Sequence, residues 1–596
     1  MKRILIILLL MTFSFTIFAQ TSSLEQKLVN ALLYVDSRTF EENQKANNYI
    51  VEQFRKGNYV GVAKQAKSYL QSRKRMIEQM YFAMSEQERA DITILIEKDL
   101  VFHYILSTAV HTKDERIVGE IYDYMLFIKQ LQLRTSQQIS RAIQKSNNRQ
   151  LIELYEGYRS IQKQLAISNP PSSQDNEILK SLYDRAGKVL AQQGSKYLKM
   201  DDVSWRDIQN RLSDFDAAIV FVRFNLFDRE TITDLRMYAA IVVTKGAPNP
   251  VIIPMTTEKN LTRWMNGEQG DLYDVNKYGN ALSQLVWLKI LTYIDQQKLT
   301  SIFFSPIGVL NNLAIETLPY SRDETTNAHY TVTRMSTTRE IMTKHDLLPK
   351  KTAILYGDLF YRASMETMQQ SAVTRSAVYP LLYSKQEIEG ISAQLSKQQY
   401  QVMTLSQKQG TEASFKSLDG KSPSILHLST HGFVNRNAKD VMQQSGLVLS
   451  FGARAWEGKS IPENTEDGIL TAAEIAALDL SSTNIVVLSA CNTALGEITS
   501  EGVWGLQRAF KQAGVQTIVM SLWQVDDEAT SVFMQYLYEA LLKYRQTMET
   551  TVTIDRQIAE DVALYFQLSL TEAQQRMRQH PKYYAPYYWA GFIVID

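Results

Sequence analysis

The sequence predicts an α/β fold, a mostly parallel sheet with helices on both faces, preceded by an all-helical domain. Three observations carry this expectation. Between Ser23 and Tyr197 apolar residues recur at three- and four-residue steps, the period of amphipathic helices. Beyond Asp202 short β-branched runs alternate with helical stretches, as in sheets wound through crossover helices. The runs near 425, 484 and 516 are almost continuously apolar, as strands covered on both faces must be. At roughly 150 residues per domain, 596 residues make three or four domains or two large ones. The 45% hydrophobic and 21% charged residues, with only 25 Gly and 13 Pro, exclude disordered and collagen-like chains. Sixty-four basic against 63 acidic residues leave a net charge of +1. That provides no field to draw in nucleic acid, which is not expected as a partner. Cys491 is the one cysteine, which excludes an intramolecular disulfide and any Cys-cluster metal site.

At the N-terminus Lys2 and Arg3 precede an apolar run from Ile4 to Phe18, then Ala19, Gln20 and the polar TSSLEQK. This is the layout of a signal peptide over residues 1–19. The run is shorter than the roughly 18 to 20 residues that cross a bilayer. Ile17 is a poorer match than the small residue usual before a cleavage point, and the alternative is a buried or anchoring N-terminal helix. No cysteine follows the run and no second long apolar run appears. The mature chain is therefore expected to be periplasmic or secreted, with no membrane anchor.

Residues 20–200 form the expected helical domain. Its segments include LEQKLVNALLYV, ERADITILIEKDLVFHYILSTAV and NNRQLIELYEGYRSIQKQLA. FRKGNYVGVAKQAKSYL loosely suggests helical-hairpin repeats, but no regular period recurs, so the region reads as a few hairpins or a degenerate array. Asn169-Pro170-Pro171 interrupts it, and NEILKSLYDRAGKVLAQQ is one further helix. Tyr81, Phe82 and Tyr104 on these helices read as core.

Strands are then expected at 217–224, 237–244, 301–305, 352–357, 425–429, 484–489 and 516–521. Thr471 and Glu474 form a capping box that starts AEIAAL. EGVWGLQRAFKQAG reads as an amphipathic helix closed by Gly514, giving a strand-helix-strand unit with a right-handed crossover. FIVID reads as the last strand, with no sorting domain expected after it.

In open parallel sheets reactive groups collect beyond the carboxyl ends of the strands. ILHLS runs into Thr430-His431-Gly432, and NIVVLS runs into Ala490-Cys491-Asn492. A His and the one Cys beyond two central strands make a dyad geometry. A thiol of ordinary pKa near 8.5 needs a base to become the attacking thiolate. His431 can orient it and later protonate a leaving amine. The N–H groups of Gly432 and Cys491 are the candidate oxyanion hole. The other reading, a structural Cys beside a satisfied core His, stands level with this one on the residues alone. His427 lies four residues before His431, but a metal pair at that spacing belongs on a helix with Glu after the first His, whereas Leu428 follows on a strand. It reads as a packed strand residue. His103, His111, His329, His345 and His580 have no His or Cys at ligand spacing. No metal and no cofactor is expected.

Four ordered blocks resemble the CHAT domain, a caspase-like and separase-like cysteine peptidase domain often attached to tetratricopeptide helices. They are ILHLSTHGF, DGILTAAEIAALDLSSTNIVVLSACNTALGE, EGVWGLQRAFKQAGVQTIVMSLWQVDDEAT and APYYWAGFIVI. VSWRDIQNRLSDFDAAIVFVRF and IFFSPIGVLNNLAIETLP extend the resemblance over 203–596, with 203–350 its N-terminal and 351–596 its catalytic part. The resemblance implies a caspase-like fold and a catalytic dyad of His431 and Cys491. One departure is Ala494, where the family commonly has glycine. Trp523, Asp526 and Asp527 fall where caspase-like folds build the pocket for the residue before the scissile bond. Either Asp there would receive Arg or Lys. Capping of the helix that begins DDEATSVFMQYLYEALL competes with that role, without excluding it. The long polar stretches around GLVLS are expected to rim the cleft.

Two functions follow. One is a secreted cysteine endopeptidase acting on protein or peptide substrates, with a regulatory protein as a candidate partner of the helical region. The other is a catalytically silent protein-binding scaffold. The presence of both dyad residues favours the enzyme.

Overall fold

A computed structural model describes residues 30–166, 173–197, 202–228, 231–343, 350–361, 378–434, 441–456, 466–490, 497–499, 502–550 and 562–596. The expected signal peptide and Cys491 lie outside the described residues. The chain divides into two compact units, Met1–Gln162 with Ser172–Ser204 and Phe224–Asp234, and Lys163–Pro171 with Trp205–Arg223 and Leu235–Asp596.

The first unit is helical. Its helices include Ser37–Arg55, Tyr59–Tyr81, Glu86–Glu97, Leu100–Thr112, Glu115–Ile128, Leu131–Lys145 and Ser173–Gly194. Side-chain caps set several starts. Asp36 accepts from Thr39 N–H at 2.9 Å, and Ser85 and Glu88 form a reciprocal capping box. Ala46, Ile50 and Phe54, one helical face of Ser37–Arg55, are fully buried. The helix Leu100–Thr112 faces the strand residues Asn225 to Phe227 with side chains at a four-residue step. His103 Nδ1 accepts from Asn225 N–H at 3.4 Å, and Ser107 Oγ accepts from Phe227 N–H at 3.1 Å. His111 Nε2 donates to the Phe227 carbonyl at 3.1 Å. Polar side chains on one helix thus satisfy a strand edge that otherwise needs a neighbouring strand.

The described residues hold two large sheets and two small ones, all in the second unit except for Phe224–Asp234 of the first sheet. Strands β1 (Asp216–Asp228), β2 (Thr231–Thr244), β3 (Val251–Thr257), β4 (Ser301–Ser305) and β5 (Thr331–Arg334) form one, in the order β3-β2-β1-β4-β5. Strands β1, β4 and β5 are parallel, with Ala217 opposite Ile302 and Ile302 opposite Val332. The second sheet is built from β6 (Thr352–Leu359), β7 (Gln401–Gln407), β8 (Ile425–Ser429), β12 (Ile485–Ser489), β15 (Thr517–Ser521) and β16 (Phe592–Ile595). Its order is β16-β15-β12-β8-β6-β7, parallel throughout except for the final β16. The sheets meet at their edges, where Ser336 N–H donates to the Asp596 carbonyl at 3.0 Å.

Alternation along β8 sends side chains to two helical layers. His427 meets Glu387 of the helix Ser384–Lys397 and Tyr538 of the helix Asp527–Thr550. On the other face Tyr356, in register with Leu428, packs near Phe415, which packs near Phe510 of the helix Leu506–Gln512. Every residue of β8, β12 and β15 is buried, as the continuous apolar runs require. The capping box forms as read: Thr471 N–H donates to Glu474 Oε2 at 2.8 Å, and Glu474 N–H to Thr471 Oγ1 at 3.3 Å.

One element differs from the sequence reading. Gly502–Trp504 is a short strand, β14, paired with β13 (Glu497–Thr499), and the helix begins only at Leu506. Gly505 separates them at φ 145°, a conformation open to glycine and not to a helical residue. Gly514 closes the helix at φ 98°.

Candidate functional site

The site begins at the carboxyl ends of β8 and β12. Their last residues, Ser429 and Ser489, are in register, and Thr430 N–H donates to the Ser489 carbonyl at 3.3 Å. The chain then turns from the parallel sheet into β9 (His431–Val434), which pairs antiparallel with β10 (Ser445–Val448), itself paired with β11 (Ile469–Thr471). His431 stands opposite Val448, and half-buried Gly432 opposite Leu447. Buried Thr430 anchors this turn. Its hydroxyl donates to the Val448 carbonyl and pairs with Tyr361 OH at 2.8 Å. The Tyr361 hydroxyl also takes the backbone N–H of His431, and its ring lies 5.2 Å from the imidazole.

His431 Nε2 lies 2.6 Å from the main-chain carbonyl of Tyr379. A carbonyl can only accept, so Nε2 carries the proton and the neutral imidazole leaves Nδ1 with its lone pair. Burial pushes the His431 pKa below its ordinary 6.5, and the bond to Tyr379 opposes that shift. The ring is therefore neutral at pH 7, protonated at one nitrogen and basic at the other.

Ala490, the residue before Cys491, is buried, and its carbonyl accepts from Ser521 Oγ at 2.8 Å. The other expected site residues have partners of their own. Asp526 Oδ1 accepts from Ala529 N–H at 2.9 Å, so this exposed carboxylate caps the helix Asp527–Thr550. Asp527 Oδ2 accepts from Tyr383 N–H at 3.0 Å, and burial raises the pKa of this half-buried carboxyl. Trp523 is buried, donates from Nε1 to the Tyr587 carbonyl at 3.0 Å and stands 5.3 Å from the Tyr273 ring. A Cβ on Gly591 would come within 2.7 Å of that indole, so the strand approach against Trp523 requires glycine.

Sequence reasoning missed Tyr361, Tyr379 and Tyr383. Tyr361 carried one usable signal, its place just past the end of β6. Tyr379 and Tyr383 act through backbone atoms, which no residue type announces.

His427 is fully buried between Glu387, at 2.7 Å, and Tyr538, at 3.2 Å, as a packed strand residue. Among the described residues one cluster has metal-ligand spacing, the carboxylates of Glu412, Glu466 and Glu474, within 4.8 Å of one another. Lys416 Nζ lies 2.6, 2.7 and 3.0 Å from these three groups. The ammonium takes the place a cation would hold, so the donor set is already neutralised in part.

Residues 276–596 match the family model of the CHAT domain. Tetratricopeptide repeat protein 28 of Mus musculus is 32% identical over 127 residues, which is 21% of this chain and 4% of that protein. The Homo sapiens protein of the same name is 29% identical over 143 residues, 24% of this chain and 5% of that one. Both matches thus span a small fraction of the relatives' lengths. Among solved structures, the Arg-specific cysteine proteinase gingipain R (RgpB) of Porphyromonas gingivalis is 10% identical, with a TM-score of 0.32. That alignment covers 55% of this chain and 74% of the other. The separase–securin complex of Saccharomyces cerevisiae is 9% identical over 97% of this chain and 48% of the other, with a TM-score of 0.36.

Proposed function

The chain belongs to the CHAT domain family, and from that premise we propose that it is a cysteine endopeptidase working through His431 and Cys491. The observation that carries the reading is the fixed imidazole. His431 follows the end of β8, in register with the strand that leads to Cys491, and its Nε2–H is tied to Tyr379 so that Nδ1 is the free base.

In the proposed reaction Nδ1 takes the thiol proton of Cys491 as the sulfur attacks the scissile carbonyl carbon. The oxyanion that forms is stabilised by the N–H groups of Gly432 and Cys491. The imidazolium then gives its proton to the leaving amine, the C–N bond breaks, and a thioester remains. Water deprotonated by the same nitrogen attacks the thioester, releasing the carboxylate product and restoring the thiol. Every proton is returned, and the step needs no metal or redox partner.

Trp523, Asp526 and Asp527 are the proposed walls of the pocket for the residue before the scissile bond. A half-buried carboxylate such as Asp527 favours Arg over Lys through paired charge-assisted hydrogen bonds. The helical unit is the proposed docking surface for a protein substrate or regulator. The charged start and short apolar run at the N-terminus support export, and no helix among the described residues is long and apolar enough to cross a membrane.

The test is a pair of substitutions. Cys491→Ala and His431→Ala should each abolish hydrolysis of a protein substrate with the fold retained by circular dichroism. A thiol-directed probe should label the wild-type chain at Cys491, its one cysteine. Undiminished hydrolysis by Cys491→Ala would remove the mechanism. Failure of both hydrolysis and labelling under every condition tried would leave the protein-binding scaffold as the function.

A further inference from the structure

Asp527 is linked to an imidazole it does not touch. Its Oδ2 holds Tyr383 N–H at 3.0 Å, and Leu382 N–H is a second donor to the same carboxylate. Four residues before Tyr383, the same segment presents the Tyr379 carbonyl to His431 Nε2 at 2.6 Å. Packing anchors the start of this segment at Val378, 5% exposed, and does less beyond it, because Tyr379 is 40% and Leu382 81% exposed, and Pro380 has no N–H to donate. Its far end is pinned. Ser384 Oγ donates to the Leu381 carbonyl at 2.9 Å and accepts from Asp358 N–H at 2.9 Å. Beyond Val378 the path of the segment that carries the Tyr379 carbonyl is thus held by hydrogen bonds, and the charged one comes from Asp527.

We propose that Asp527 is a positioning residue for His431: by holding the backbone of Tyr383 it keeps the Tyr379 carbonyl where it fixes the Nε2–H tautomer. This deepens the reading of His431 as the base and rests on it. A substrate-facing role for Asp527 is compatible, because an ionised carboxylate has about four lone-pair directions and the two backbone donors occupy two. The two roles predict different substitution patterns. In a pure pocket role only the charge matters. In a positioning role the acceptor oxygen matters, and it is retained by asparagine.

The experiment compares Asp527→Asn with Asp527→Ala. Imidazole ¹⁵N shifts of His431 are read at neutral pH, together with kcat and KM on peptides bearing an uncharged residue before the scissile bond. Asp527→Ala should lose the single Nε2–H signature and drop kcat by about tenfold or more with KM little changed. Asp527→Asn should keep the tautomer and stay within about twofold of wild type in kcat. Retention of tautomer and kcat by Asp527→Ala overturns the proposal, as does an equal loss in both variants. If the wild-type chain hydrolyses nothing, the peptidase reading fails. The tautomer comparison still decides whether Asp527 orients the ring, and thermal unfolding separates that effect from misfolding.

Discussion

His431 illustrates how a single side chain acquires chemistry from its surroundings. Its ring is partly desolvated, its Nε2–H is held by Tyr379, and its backbone N–H is held by Tyr361. The sign of the resulting pH effect follows directly. A pKa below 6.5 keeps the imidazole neutral to lower pH than a free histidine, so base function is present above the depressed pKa and lost as pH falls through it. The acid limb of the pH–rate profile for kcat/KM should accordingly fall below 6.5, measured on the wild-type chain. A limb above that value would mean that a different group, or a histidine in contact with a carboxylate, controls the reaction. This depression was not legible in the residues. The position of His431 just beyond an apolar run marked it as a candidate, but its tautomer depends on a carbonyl 52 positions away.

The elements that carry the site are joined by a charged clamp. Lys416, on the short helix Glu412–Lys416, bonds to Glu412, Glu466 and Glu474. Glu474 belongs to the capping box behind β11, and β11 pairs with β10, the partner of the strand bearing His431. Glu412 also accepts from Gly468 N–H at 2.8 Å, which holds the entry to β11. Burial and the neighbouring carboxylates push the Glu412 pKa up to about 10, so the cluster holds a proton at neutral pH. Lys416→Met should destabilise the chain by about 3 kcal/mol, because it leaves the buried Glu474 carboxylate without its cation. The loss should shrink as pH falls and the Glu474 and Glu466 carboxylates protonate. Thermal unfolding at two pH values measures it, and an equal loss at both would detach the effect from charge. The capping box at Thr471 was readable because all its atoms lie within one turn of chain. The clamp was not, since Glu466 and Lys416 are 50 residues apart.

Two sheets meeting along one edge, through β5 and β16, place the final strand of the chain between them. The antiparallel β16 follows β15 through the helices Asp527–Thr550 and Val562–Arg578, so the last residues complete the sheet that presents His431. Export is the prediction that concerns the whole protein. Expression in a bacterium followed by N-terminal sequencing should recover a periplasmic chain beginning at Gln20; an intact chain kept in the cytoplasm would contradict it.

Hydrophobic period alone was enough to reveal the helices of the first unit and the central strands β1, β4, β6, β8, β12 and β15, because both kinds of element bury a face that the residues must match. The short strands β3, β5, β7, β9 and β11 escaped it. Strand β7 shows why: none of its residues is buried, so no apolar alternation was required of them. The candidate site divides along the same line. Residue identity and strand order were sufficient to single out His431 and Cys491. Which Asp caps and which holds the loop, and which nitrogen of His431 is free, were decided by hydrogen bonds between segments far apart in the chain. Those bonds engage backbone atoms that every residue possesses, and only the folded arrangement says which of them meet.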